Sequence, residues 1–219
     1  MQKSITIIIP VFNEVDSLKE LQAQLENILE NRYSYEILYM NDGSFDGSEK
    51  ILDELSNQNA STKAVHFHRN YGKAAALAEG FKLATGDYVM TMDADLQDDP
   101  AEIPNFITKL EEGFDLVSGW KKDRKDPLGK TMPSRFFNFV TRLMTGVKIH
   151  DFNCGIKMYK NAVNNAKKAV SKFVRNNRTK TPKNMRRKPN QKTVSSLRIP
   201  AGKGLFRVRI INLSVSRSI

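Results

Sequence analysis

Five short apolar runs, each leading through a polar loop into a helix-like stretch, leave the first 120 residues few ways to fold. Residues 5–9 (Ile-Thr-Ile-Ile-Ile) read as a buried strand closed by Pro10. Residues 35–40, 63–68, 88–92 and 115–118 read as four more. Between them, Ser17-x-x-Glu20 forms a capping-box pattern, and Leu18, Leu21, Leu25, Ile28 and Leu29 recur at helical spacing. A second helix is expected over 48–57, and an Ala-rich one ends near Thr85-Gly86. A fourth is opened by Asp99 as N-cap with Pro100 behind it. Strands alternating with helices of ~10–15 residues predict an α/β fold, a doubly wound, Rossmann-like and mainly parallel sheet flanked by helices. In such sheets ligands bind at the carboxyl ends of the strands. The distinctive loops, residues 11–14, 41–46, 69–73 and 93–97, all fall there.

The fourth strand ends in Asp93-Ala94-Asp95-Leu96-Gln97. Side chains two apart on an extended backbone point the same way, so Asp93 and Asp95 converge, and Gln97 continues the row if the backbone stays extended. Such hard oxygen donors suit Mg²⁺ or Mn²⁺ rather than zinc, since no Cys or His stands nearby. The other reading is a pair of acidic residues that simply end a strand and begin a turn. A dinucleotide-binding dehydrogenase would need a Gly-rich turn after the first strand. Pro10-Val11-Phe12-Asn13-Glu14 holds no glycine, and no Walker-type phosphate loop is present.

The single Cys154 excludes an internal disulfide framework and fits a reducing compartment. No signal peptide is recognised at the start, and no apolar run reaches the ~20 residues needed to span a bilayer. The net charge of +11 conceals a break: 18 of the 35 Lys and Arg follow Asp151, and none of the 24 Asp and Glu does. Residues 1–151 therefore carry −7 and residues 152–219 carry +18.

Taken in order and spacing, several motifs resemble the family 2 glycosyltransferases, in the branch of dolichyl-phosphate mannose synthase and the bacterial polyprenyl-phosphate hexose transferases. They are Ile9-Pro10-Val11-Phe12-Asn13-Glu14, Asn41-Asp42-Gly43-Ser44 with Asp46-Gly47, Arg69-Asn70-x-Gly72-Lys73 and Asp93-Ala94-Asp95-Leu96-Gln97-Asp98. Val117-Ser118-Gly119-Trp120, Pro133-Ser134-Arg135 and Asp151-Phe152-Asn153-Cys154-Gly155 extend the likeness, which covers about residues 3–160. It implies a GT-A fold that uses a nucleotide-activated sugar, UDP- or GDP-hexose. By matching positions, Pro10, Phe12 and Glu14 line the nucleotide pocket, and Asp42 meets the base with Met40 beside it. Asp93, Ala94 and Asp95 meet ribose and diphosphate. The metal set is Asp93, Asp95 and Gln97, with Asp95 and Gln97 the coordinating pair by likeness. Lys73 is a candidate diphosphate contact or a solvated helix start. Asp46, Asp98 and Asp99 read as turn, cap and surface residues.

On the acceptor side, Asp151 is the candidate general base, and Asp151 and Asp95 are the catalytic candidates. Lys121, Lys122, Arg124, Lys125, Arg135 and Arg142 give that region a basic character. Lys121 and Arg135 are expected at an acceptor phosphate, or else on a solvated face. A lipid phosphate, its second pKa near ~6, needs positioning more than a base, whereas a saccharide hydroxyl needs its proton removed. The resemblance therefore implies a metal-dependent, inverting hexosyltransferase acting on a polyprenyl phosphate. It would lie in the cytoplasm, peripherally at the inner face of the membrane. The alternatives are transfer to a saccharide hydroxyl in cell-surface polysaccharide synthesis, and an inactive nucleotide-sugar-binding piece.

After about Lys160 the resemblance stops. The expected division is a GT-A domain over 1–160, truncated on its acceptor side, and a basic tail over 161–219. The tail lacks carboxylates and convincing periodicity, apart from a strand-like run at 205–213. Its composition suggests disorder. It reads as out-of-frame sequence, as a lipid-binding arm, or, least favoured, as a nucleic-acid-binding arm without a recognised module. No specific nucleic acid is expected as a partner, and nothing in the sequence fixes an oligomeric state.

Overall fold

The computed structural model describes residues 3–120, 155–161, 196–201 and 204–214. Four strands, β1 (Ser4–Val11), β2 (Ser34–Asn41), β3 (Thr62–His66) and β4 (Tyr88–Thr91), form a parallel block in the order β3-β2-β1-β4. Helices α1 (Leu18–Leu29), α2 (Ser48–Gln58) and α3 (Lys73–Leu83) connect them. A short 3-10 turn, Pro100–Glu102, leads into α4 (Ile103–Glu111) and then β5 (Leu116–Trp120). The expected sheet is present, and β1 extends through Pro10 instead of closing at it.

β1 shows why the sheet is covered on both faces. Ile5, Ile7 and Ile9 point to one side and pack with Leu18, Leu21, Leu25 and Leu29 of α1, Leu52 of α2 and Phe106 of α4. Ile8 points to the other and packs with Leu38, Met40 and Ala76 beneath α3. All four isoleucines are fully buried, each contributing about 1.5–3 kcal/mol. The leucine spacing in α1 was thus a true core stripe. The capping box was not: Ser17 has helical φ/ψ and no side-chain cap bond, and its hydroxyl donates to the Glu14 carbonyl at 3.0 Å.

β5 does not lie next to β4. β6 (Lys157–Lys160) is inserted between them, antiparallel to both, with Thr91 opposite Lys157 and Ser118 opposite Lys157 on its other edge. Because β6 runs against its neighbours, its first residues lie at the carboxyl end of β4, and the Gly119 amide donates to the Ile156 carbonyl at 3.0 Å. Residues 196–201 and 204–214 form an antiparallel pair, β7 (Ser196–Ala201) and β8 (Gly204–Ser214), and β8 runs parallel to β5. The strand-like run at 205–213 lies within β8, and Leu213 packs on the core.

At the opposite, amino end of the sheet, Glu36 gathers four donors. Thr6 Oγ1 (2.6 Å), Thr85 N (2.9 Å) and Thr85 Oγ1 (2.6 Å) reach Oε1, and Lys63 Nζ (3.1 Å) reaches Oε2. Desolvation alone would raise its pKa, but these hydrogen bonds outweigh it and bring the carboxyl from 4.5 to about 2. Its contribution to stability is therefore complete above about pH 4.5 and is lost as pH falls through about 2. Glu36→Gln is expected to cost about 2 kcal/mol at pH 7. It should also flatten the acid limb of stability between those pH values, read by urea unfolding across pH 2–7. An acid limb unchanged in the variant would refute this role.

Candidate active site

The loops at the carboxyl ends of β1, β2 and β4, with the loop before α3, enclose a cavity of about 270 Å³. Pro10, Phe12, Glu14, Asp42, Lys73, Asp93, Ala94 and Asp95 all line it, together with Val11 and Asn70. Eight of the nine positions expected at a nucleotide sugar are thus brought together. Met40 is the exception. It shares a strand face with Leu38, lies fully buried beneath α3, and does not reach the cavity.

Side chains from the second loop hold the first in place. Asn13, at φ +56, donates its amide to Ser44 Oγ, and its Oδ1 accepts from Phe45 N, both at 3.0 Å. Glu14 N donates to Ser48 Oγ at 3.1 Å, and Val15 N to Asp46 Oδ2 at 3.0 Å. Asp46 Oδ1 also accepts from Ser48 N at 2.9 Å, which makes it a turn residue one position ahead of Gly47, the N-cap of α2. Phe12 is not a core residue: it is 42 % exposed and meets the more exposed Phe45 edge-on at the rim.

Asp42 is buried, and its two oxygens accept from Tyr71 N and Gly72 N, each at 2.8 Å. Asn70 Oδ1 shares the Gly72 amide at 2.9 Å. Gly43 makes this approach possible. It sits at φ +72, and a Cβ there would come within 2.5–2.8 Å of the Arg69–Asn70 backbone. Lys73, which opens α3 right after the clamped pair, sends Nζ to 2.5 Å from Asp93 Oδ1.

The segment after β4 does not stay extended. Leu96 is at φ +58, and Gln97 N turns back to Asp95 Oδ1 at 3.1 Å. Gln97 is exposed, and it does not continue the row of Asp93 and Asp95 into the cavity. Asp98, read from sequence as a surface residue, is buried, and its Oδ2 accepts from Asp93 N at 3.4 Å. Asp99 caps the following turn through Ala101 N at 2.9 Å, as expected.

Gly155 is the residue that sequence reasoning used only as a motif letter. Its carbonyl accepts from Thr91 Oγ1 at 2.9 Å. A Cβ on it would lie 2.5–2.8 Å from all three carboxyl atoms of Asp93. The antiparallel insertion of β6 brings it there, and no local pattern signals that pairing. Asp151, Lys121 and Arg135 lie outside the described residues.

Burial raises the pKa of Glu14, and the charges of Asp95, Asp46 and Asp93 raise it further. The cavity therefore holds surplus negative charge, and an internal ammonium already rests on Asp93. That environment and its oxygen donors fit a hard divalent ion such as Mg²⁺ or Mn²⁺. Among the described residues, no group of three or more His, Cys, Asp or Glu forms a complete protein cage. Such an ion would share its shell with a ligand, as Mg²⁺ sites with substrate phosphates do.

Comparison with known proteins agrees with this fold. The family model described as Glycosyl transferase family 2 matches residues 6–166. The undecaprenyl-phosphate 4-deoxy-4-formamido-L-arabinose transferase of Pseudomonas fluorescens (strain Pf0-1) is 38% identical over 161 residues, 73% of this chain and 47% of that protein. Its namesake from Klebsiella pneumoniae (strain 342) is 37% identical over 160 residues, 72% and 49% respectively. The chain spans about half the length of the curated relatives it matches. Among solved structures, glucosyl-3-phosphoglycerate synthase from Mycobacterium tuberculosis, in complex with Mn²⁺, UDP-glucose and glycerol 3-phosphate, superposes with a TM-score of 0.59 at 18% identity. That match covers 74% of this chain and 58% of the other. The mannosyltransferase PcManGT from Pyrobaculum calidifontis, in complex with GDP-Man and Mn²⁺, gives 0.53 at 23% identity, covering 74% and 46%. These likenesses show the fold, which is GT-A.

Proposed function

The chain belongs to glycosyl transferase family 2, and from that premise we propose that it moves a glycosyl group, with inversion, from a nucleoside-diphosphate sugar to a polyprenyl phosphate. The observation that carries the reading is the cavity itself. Glu14, Asp93 and Asp95 face Lys73 at the carboxyl end of a doubly wound sheet, in a chain whose relatives are named as undecaprenyl-phosphate transferases. The relatives' sugar is an arabinose derivative, so the donor is proposed as a nucleotide sugar of either hexose or pentose type.

In the reaction, an acceptor phosphate oxygen attacks the anomeric carbon as the bond to the diphosphate breaks, and the electron pair leaves on the diphosphate. Asp93 and Asp95, with Gln97 if its turn rearranges, would hold Mg²⁺ or Mn²⁺, which neutralises the charge developing on the leaving group. Lys73 adds a cation on the same side. Asp42 and Asn70 fix the loop that presents Lys73. The rim aromatics Phe12 and Phe45 offer a surface for the base. Lys121 and Arg135 are proposed at the acceptor phosphate. Among the described residues no helix is long and apolar enough to cross a membrane, and contact with the lipid is proposed as peripheral, at the cytoplasmic face.

The test is transfer of label from UDP- and GDP-sugars to undecaprenyl phosphate in detergent, with Mn²⁺ or Mg²⁺, alongside Asp151→Asn. An ionised phosphate acceptor predicts that Asp151→Asn keeps most of the activity. A loss of about 10²-fold or more instead identifies a hydroxyl acceptor that needs a base.

A further inference from the structure

We infer that Lys73 is the site's internal counter-cation: without a donor it occupies Asp93, and a divalent ion arriving with the nucleotide displaces it onto the diphosphate. The inference rests on the donor-site reading above and adds to it an order in which the charges assemble.

Three observations carry it. Lys73 Nζ lies 2.5 Å from Asp93 Oδ1, and both residues line the cavity. Among the described residues the wall presents four carboxylates, Glu14, Asp42, Asp93 and Asp95, against this one ammonium, so Lys73 supplies the compensating charge. Its position is also built, because Asp42 and Asn70 clamp the two amides that immediately precede it.

The pair is nonetheless free to open. The Lys73 side chain is 53 % exposed and that of Asp93 31 %, so solvent screens the contact. A flexible four-carbon stem lets the ammonium move without moving α3. A divalent ion beside Asp93 and an ammonium on the same carboxylate repel one another. Metal alone must therefore work against Lys73, whereas metal with a diphosphate gives Lys73 a new anionic partner. The free protein should hold the ion weakly, and ion and nucleotide should bind synergistically.

The test titrates Mn²⁺ alone, followed by loss of the free-ion paramagnetic resonance signal. The samples are the full chain, Lys73→Met, Lys73→Arg and the Lys73→Met/Asp93→Asn double variant. Lys73→Met is expected to bind Mn²⁺ at least about tenfold more tightly than wild type. Lys73→Arg, which keeps the cation, should stay near wild type, and the double variant should lose the gain. With Mn²⁺ present, Lys73→Met should bind UDP or GDP more weakly than wild type. Equal or weaker Mn²⁺ binding by a folded Lys73→Met overturns the inference. A wild type that binds neither UDP nor GDP with Mn²⁺ overturns the donor-site reading instead, and the nucleotide-free titration tells the two failures apart.

Discussion

Asp95→Ala is expected to remove Mn²⁺-dependent binding of the donor nucleotide, weakening it by on the order of a hundredfold or more, while the fold survives. Asp95 is exposed, and its one described structural bond is the turn contact from Gln97 N at 3.1 Å. Loss of a surface turn contact of that kind costs about 0.5 kcal/mol. Its place in the site is another matter. It lines the cavity and stands close enough to Glu14 to be the foremost charge raising that residue's pKa. Groups that merely orient metal ligands are worth 10–100-fold in metal affinity, so a proposed ligand should be worth at least that. Calorimetric titration of UDP and GDP, with and without Mn²⁺, reads the result. If a folded Asp95→Ala bound the nucleotide within about threefold of wild type, the assignment of Asp95 to the metal would be wrong.

The second large effect is expected from a single methyl group. Gly155→Ala places a Cβ 2.5–2.8 Å from the Asp93 carboxyl atoms, closer than any relaxed contact allows. Something must yield, and the choice lies between a paired strand and a carboxylate. β6 is held by its ladders to β4 and β5, and the Gly155 carbonyl is fixed by Thr91 Oγ1. The Asp93 carboxylate turns about two bonds and is held by one half-exposed lysine. The carboxylate therefore yields, at a cost to stability of about 0.5–1.5 kcal/mol for an off-rotamer side chain. Metal-dependent nucleotide binding should fall about ten- to a hundredfold. A large loss of binding with a thermal midpoint near wild type is the expected signature. Wild-type binding in Gly155→Ala would mean that Asp93 functions from more than one position.

These two residues differ in how far they could be read from the sequence. Asp95 announced itself because a strand's alternation and a loop's chemistry are local properties. The same is true of the leucine stripe of α1 and of the four loops that form the cavity wall. Met40, placed beside Asp42 by the family likeness, shows where a matched position misleads. Positions 38, 40 and 42 share a face, but α3 covers the first two, and only the residue past the strand's end reaches the cavity. Gln97 fails for a related reason, since a positive φ at Leu96 breaks the period on which its placement depended. Asp98 looked like a surface residue because consecutive acidic residues usually are; its burial follows from the way residues 93–98 curl over their own first amide. Gly155 and the insertion of β6 depend on contacts from 39 to 72 residues apart in sequence, which no local window of the chain reveals.

The antiparallel strand also determines how the rest of the protein is attached. β5 leaves the sheet at its carboxyl edge, β6 enters at that same edge, and the two are neighbours. Trp120 and Gly155, which flank residues 121–154 with Lys121, Arg135 and Asp151, therefore lie on neighbouring chain segments, about 5 Å apart, at the cavity's end of the sheet. Loop-closure entropy rises only slowly with length, so the sheet places little constraint on the size or content of the segment between them. The parallel block that forms the cavity can thus stay fixed while the segment between the two strand ends is lengthened, shortened or exchanged. The two adjacent strand ends are natural junctions for grafting the corresponding segment of a relative onto this sheet.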